Sequence, residues 1–250
     1  IAGVLGYNGR RATGPAPVSV QIADVAGGSC HAVMGILAAF IHRMQTGEGQ
    51  FVDISMTDAA FTLHALTAPP SLVAGIEPER EGTQLNGGSF YDCYETSDGR
   101  HFSVGGLEPQ FFMQFCAAIG RPELAPQGMI IGDPSAVAAL KTEIAREMKK
   151  KTYAEWSDIF LAIDSCTEPV LSFAEACEHP HIQARGLIVD VPRPDGTMQK
   201  LLGSAIKFSK TPATFRYIGT EIGSHTDDVL KEHGFSESQI AELRKCGAVA

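Results

Sequence analysis

A single carboxylate at the mouth of a glycine-rich helix constrains this chain more than any other feature. Residues 18–23 alternate apolar and polar side chains as a strand does, and they run directly into Asp24. After Val25 and Ala26, the pair Gly27-Gly28 leads into an apolar stretch that predicts a helix over 29–43. An acid beside the free N–H groups of a helix start sits where backbone dipoles favour negative charge. Paired glycines let a second backbone or a ligand come close. The arrangement suits chemistry on an acyl group, although one Asp does not name the reaction.

A second junction repeats the pattern. Residues 101–104 read as a strand, Gly105-Gly106-Leu107 follows, and Glu108-Pro109 opens a helix carrying Phe111, Phe112, Phe115 and Cys116 at helical spacing. Pro109 fits the first helical turn, where its missing N–H costs nothing. Asp24 and Glu108, each at a Gly-rich helix entrance, form a candidate acid/base pair. The alternative is that both carboxylates only cap helices and offset dipoles. Spacing alone leaves the two open.

Composition narrows the classes. With 250 residues, 44% of them hydrophobic, the chain can bury a core in one or two domains. A formal net charge of −9 argues against a nucleic-acid partner, and the early basic pair Arg10-Arg11 reads as solvated surface. No charged-then-apolar leader is visible, which leaves a secretory signal unsupported. The apolar helix, interrupted by His31 and Gly35, is expected to be too short to cross a bilayer, so a soluble protein without a membrane partner is expected. Cys30, Cys93, Cys116, Cys166, Cys177 and Cys246 form no CxxC pair. Scattered thiols of this kind point to a reducing compartment, the cytoplasm or an organelle matrix. His179 and His181 flank Pro180 without a third ligand nearby, and His225 reads as a helix start, so no metal is expected. Neither a Gly-x-Ser-x-Gly elbow nor a phosphate loop is present.

The pattern along the chain predicts a strand over 51–56 and a helix from 57 to 66 stopped by Pro69-Pro70, a βα rhythm that suits an α/β sheet. Residues 76–88 read as a linker. A hairpin over 90–104 turning at Ser97-Asp98-Gly99 should precede helices over 109–119, 134–150 and 153–163. Strands are expected over 187–191 and 201–208, and a last amphipathic helix over 236–246.

These residues also resemble a family. The stretches 22–28, 46–53 and 92–100, then 104–112 and 223–230, occur in the order found in family III CoA-transferases, which include carnitine CoA-transferase and α-methylacyl-CoA racemase. The resemblance implies part of a Rossmann-like large domain that binds CoA, a smaller α+β domain, and an interlocked homodimer. Residues 1–75 would be the C-terminal portion of the large domain and 89–186 the small domain. Residues 187–250 would return to pack on the large domain. No cofactor is implied beyond the CoA of the substrate.

The resemblance also assigns roles. Asp24 matches the family's catalytic carboxylate. In transferases it attacks the acyl-CoA and carries a mixed anhydride and then a CoA thioester. In the racemase branch it moves the α-proton, opposite a His supported by the Glu that matches Glu108. That His belongs to a Gly-His-Asp motif upstream of the residues matching Ile1–Gly6, so the chain is expected to be a piece of a longer protein. Gly27 and Gly28 would offer N–H groups to the thioester oxygen. The block from Gly87 to Tyr91 resembles racemases, implying that Gly87, Gly88 and Tyr91 bind substrate. A 2-methylacyl-CoA racemase is the leading expectation. A CoA-transferase, to which the segment before Asp24 is similar, and a non-catalytic scaffold stand as alternatives.

Overall fold

The computed structural model describes residues 1–130 and 132–249. They fall into two compact units, Ile1–Val170 and Leu171–Ala250.

The first unit opens with a one-turn helix, α1 (Val4–Tyr7), and a short antiparallel ladder between β1 (Gly9–Arg10) and β2 (Gly14–Pro15). A π-helical turn over Ile22–Ser29 then runs without a break into α2 (Cys30–Thr46). Gly47, in the left-handed region at φ 80°, ends α2 by donating its N–H to the Arg43 carbonyl. The helix is thus longer than expected. Its 25 residues, holding an 18-residue stretch of mean hydropathy 1.5, are long and apolar enough to cross a membrane by length and composition, which corrects the expectation that it is too short. A helix apolar on all sides equally suits the interior of a large globular protein.

The expected strands over 18–23 and 51–56 do not form. Alternation supplies a pattern, but a strand also needs a neighbour to take its N–H and C=O groups. Residues 51–55 instead lie along α2, where Gly35 leaves room for them: a Cβ there would sit 3.0 Å from Val52 and 3.3 Å from Ile54. The ladders found among the described residues are all antiparallel. Next, α3 (Met56–Thr62) is capped by Ser55, whose hydroxyl accepts from the Asp58 N–H. Pro69 and Pro70, expected to stop a helix, lie at the start of α4 (Ala68–Ala74), where their missing N–H groups are not needed.

The core belongs to the segment that follows. Strands β3 (Asp92–Glu95), β4 (His101–Val104) and β5 (Thr167–Pro169) form one antiparallel sheet with β4 central. The expected hairpin is present. The Thr96 N–H donates to the Arg100 carbonyl across the turn, Gly99 takes φ 79°, and Asp98 accepts the Tyr153 N–H at 3.1 Å. That last bond ties the turn to the start of a helix. The predicted helices are present as α5 (Pro109–Ala118), α6 (Pro134–Met148) and α7 (Tyr153–Leu161). Their apolar faces enclose Phe90, Phe102, Val104, Phe112, Phe115 and Trp156, all but sealed from solvent. Two buried polar groups of this core are paired: the Trp156 indole donates to the Met148 carbonyl at 2.8 Å and the Tyr94 hydroxyl to the Phe90 carbonyl at 2.6 Å.

An ion cluster joins this core to the start of the chain. Asp92 accepts from the Arg10 guanidinium at 2.5 Å and from the Lys141 ammonium at 2.6 Å. Burial pushes the Asp92 carboxyl up, but hydrogen bonds from Arg10 and Lys141 outweigh it and hold the group below its ordinary value.

The second unit contains α8 (Phe173–Glu178), α9 (Pro180–Ala184), the hairpin of β6 (Ile188–Pro192) and β7 (Met198–Leu202), then α10 (Thr226–Glu232) and α11 (Glu237–Lys245). The second hairpin strand begins earlier than the expected 201–208, because the tight turn at Asp195-Gly196 fixes its register: Asp195 accepts from the Thr197 N–H and Gly196 takes φ 83°.

Two stability measurements follow. Phe102→Ala removes a fully buried ring at the sheet centre and is expected to cost about 3–5 kcal/mol in urea unfolding. Asp92 has a lowered carboxyl pKa, so its contribution is present above the unfolded-state value of about 3.9 and is lost as pH falls through the folded value. The gap in urea midpoint between wild type and Asp92→Asn should be widest above about pH 5 and close on acidification. A gap independent of pH would remove the carboxylate charge from this account.

Candidate active site

Asp24 lies in the first turn of the π-helical segment and its side chain is exposed. The turn is wide because its carbonyls take partners five residues on. The Cys30 N–H reaches the Val25 carbonyl, the Ser29 hydroxyl donates to the Asp24 carbonyl at 2.9 Å, and the His31 ring nitrogen donates to the Ala26 carbonyl at 3.0 Å. Single π turns of this kind recur at functional sites. No side-chain capping bond is made at this helix start.

Gly27 and Gly28 seat the turn on α3. A Cβ on Gly27 would meet Ala59 at 3.5 Å, and one on Gly28 would meet the Met56 side chain at 3.0 Å. Gly27 is buried, so the pair serves close helix packing. A hollow of about 460 Å³ nearby is lined by Ser19, Val20, Gln21, Ile22, Val25 and Ala26, and Asp24 is not among its lining residues.

Glu108 is the N-cap residue of α5, as the spacing predicted, with extended backbone at φ −70° and ψ 137°. Its carbonyl accepts the Phe111 and Phe112 N–H groups, while its exposed side chain makes no capping bond. The side-chain capping bond of the alternative reading is thus absent at this carboxylate, while its place at the helix start is as that reading has it. The corner is tight: a Cβ on Gly106 would come within 2.7 Å of both Phe111 and the Ser165 carbonyl. Tyr91 lies against Gly105, 3.3 Å from a Cβ built there, so Tyr91 and the Glu108 corner are neighbours.

The same corner holds a residue that the sequence reading did not single out. Cys166 directly precedes β5; its carbonyl accepts the Gly105 N–H at 2.9 Å, and its backbone is left-handed at φ 49°. Burial pushes the Cys166 thiol up, and the negative charges of Asp164, Glu108 and Glu168 push the same way. An isolated Cys between Ser165 and Thr167 carries no signal of this in sequence.

Gly87 and Gly88 pack against their own chain. Gly87 has φ 105°, and a Cβ there would lie 2.7 Å from the Arg10 guanidinium. They line a cavity of about 380 Å³ with Arg11, Asp133 and Lys141. Asp24 is not among its lining residues. Among the described residues, no hydrogen bond or ion pair joins Asp24 to Glu108, and no cluster of His, Cys, Asp and Glu suited to a metal is found.

A family model for CoA-transferase family III matches residues 1–226. The chain belongs to that family. This family III chain is 34% identical over 248 residues to the α-methylacyl-CoA racemase of Mus musculus, covering 97% of its own length and 63% of the relative. It is 33% identical to the racemase of Homo sapiens, with the same coverage of each. The succinyl-CoA–L-malate CoA-transferase β subunit of Chloroflexus aurantiacus is 29% identical, over 91% of this chain and 58% of that protein. The chain therefore spans less than two thirds of the relatives it matches. Its fold is that of a CaiB/BaiF family protein from Brucella suis, with a TM-score of 0.71 at 24% identity over 92% of this chain and 60% of that one.

The Glu108 corner yields a chemical test. Glu108→Gln removes one of the negative charges that raise the Cys166 thiol, so alkylation of Cys166 by iodoacetamide near pH 8 is expected to speed up, read by peptide mass mapping. An unchanged rate at Cys166 would place Glu108 out of electrostatic reach.

Proposed function

We propose that this family III chain carries the acid/base carboxylate of a 2-methylacyl-CoA racemase. The observation that carries the reading is Asp24 itself: an exposed carboxylate in the first turn of a π-helical segment, in a chain 33–34% identical to two α-methylacyl-CoA racemases. The α-proton of a thioester is weakly acidic, so removing it needs a placed base and stabilisation of the enolate oxygen. Asp24 takes the proton from one face of the α-carbon. The electron pair moves onto the thioester oxygen, and return of a proton to the opposite face inverts the centre. Glu108, uncommitted to capping, orients the base that serves that opposite face. Gly27, Gly28 and Tyr91 border the substrate, with Gly87 and Gly88 shaping the turn that leads to Tyr91.

A CoA-transferase is the second reading, favoured by the transferase relatives at 27–30% identity. Here an Asp24 oxygen attacks the thioester carbonyl and the C–S bond breaks to give an aspartyl anhydride and CoA thiolate. The thiolate then attacks the aspartyl carbonyl, releasing the acyl group as a carboxylate and leaving an aspartyl-CoA thioester for the acceptor acid.

The assembly belongs to the same proposal. Residues 1–75 act as part of a Rossmann-like large domain, 76–88 as a linker, 89–186 as the small domain and 187–250 as the return segment. Val33, Met34, Leu37, Phe40 and Ile41 are each more than half exposed on α2, which supports cover by further large-domain residues and a partner subunit in an interlocked homodimer. Four exposed free cysteines support a reducing compartment, the cytoplasm or an organelle matrix.

The test is exchange. The intact gene product, given one enantiomer of a 2-methylacyl-CoA in D₂O, is expected to wash deuterium into the α-position with loss of optical purity. Asp24→Ala should lower that rate by about 10²–10⁴-fold, and Glu108→Gln should also impair it. CoA appearing on an added free acid without α-exchange, with a hydroxylamine-trappable adduct at Asp24, would move the assignment to the transferase.

A further inference from the structure

The π turn that carries Asp24 takes up one residue more than an α-helix would. Entering it, the Val25 N–H pairs with the Gln21 carbonyl four residues back, as in an ordinary helix. Leaving it, the Cys30 N–H pairs with the Val25 carbonyl five residues back. An α-helix advances about 100° per residue, so closing this turn into α form would swing Asp24 by about 100° around the axis relative to α2. The direction of the carboxylate thus depends on which register the turn keeps.

A turn this wide is rare in helices, and it needs bonds that the α form does not make. Two side chains supply them. Ser29 Oγ donates to the Asp24 carbonyl at 2.9 Å, and His31 Nδ1 donates to the Ala26 carbonyl at 3.0 Å, each reaching five residues back. A serine inside an α-helix bonds the carbonyl three or four residues back. A reach of five belongs to the wide register, so both bonds favour it. A carbonyl only accepts, so His31 Nδ1 carries a proton in the neutral and the charged ring alike, and the bond survives titration. Ser29 acts more directly, because its bond ends on the carbonyl of Asp24 itself. Ser29 is exposed and His31 half-buried, so neither is a core residue.

We propose that Ser29 and His31 are positioning residues for Asp24: their side chains latch the wide turn and fix the direction from which the carboxylate meets the acyl-CoA. This role rests on the reading of Asp24 as the reacting carboxylate, and it holds for proton transfer and for attack on the thioester alike. Both residues act through the backbone and exchange no proton with the substrate.

The intact gene product carrying Ser29→Ala and His31→Phe together tests the latch. Its crystal structure is expected to show the Cys30 N–H moved from the Val25 carbonyl to that of Ala26, the α-helical partner. Exchange of the α-proton of a 2-methylacyl-CoA should lose about 10²-fold in kcat with KM within about twofold of wild type, as a misaimed group behaves and a weakened binding site does not. Ser29→Thr and His31→Asn each keep a donor at the same reach and should retain the wild-type kcat. Ser29→Ala alone should fall between, so the result does not hang on the double variant folding. A double variant that keeps the Cys30–Val25 pair, or loses it with kcat intact, overturns the latch. The partner of the Cys30 N–H is read without substrate, so a wild-type protein inert toward acyl-CoA, with that partner changed in the variant, refutes the reading of Asp24 only.

Discussion

The position of Asp24 depends on how closely one helix can approach another. The π turn that carries it rests on α3 through Gly27 and Gly28, with Ala59 and Met56 filling the space where side chains would stand. Any Cβ larger than hydrogen at Gly28 has to displace the Met56 side chain, and the displacement would be passed along a rigid helix to the carboxylate one turn away. The wide turn adds a second constraint, because Ser29 and His31 hold carbonyls that an ordinary α-helix would use differently. Packing and backbone pairing together aim the acid.

The Glu108 corner is built by different means. There an antiparallel sheet with a sealed aromatic core supplies the rigidity, and Gly105-Gly106 lets the chain turn out of β4 against Tyr91 and the Ser165–Cys166 backbone. Because Pro109 begins the helix and the Glu108 carbonyl accepts the first helical N–H groups, the carboxylate itself is left uncommitted. A side chain spent on capping would lose basicity and freedom.

How far the sequence is legible differs between the two halves of the first unit. Residues 90–163 read correctly as hairpin and three helices, since the patterns there are satisfied locally: the turn closes on Gly99, caps sit at Thr152 and Asp133, and apolar faces meet one another. Residues 18–76 read less well. The alternation at 18–23 and 51–56 is genuine, but it yields no ladder where no neighbouring strand takes the backbone groups. Pro69-Pro70 opens a helix that it was expected to close, a matter of one turn in phase. The site followed the same division. Asp24 and Glu108 were visible as carboxylates beside glycine pairs, whereas Cys166 was not, being brought to Gly105 from a distant segment.

By itself, the sequence determined the local chemistry: which carboxylates stand at helix entrances, where turns fall, and which faces are apolar. These depend on neighbours a few residues apart and on the short periods of helix and strand. Only the tertiary structure decided that Asp24 sits in a π turn seated on α3, that Glu108 is free of its own cap, and that the Tyr7 hydroxyl meets the His64 ring across 57 residues of chain. Each of these is set by the close approach of segments far apart in the chain, where one methyl group or one hydrogen-bond direction changes the outcome.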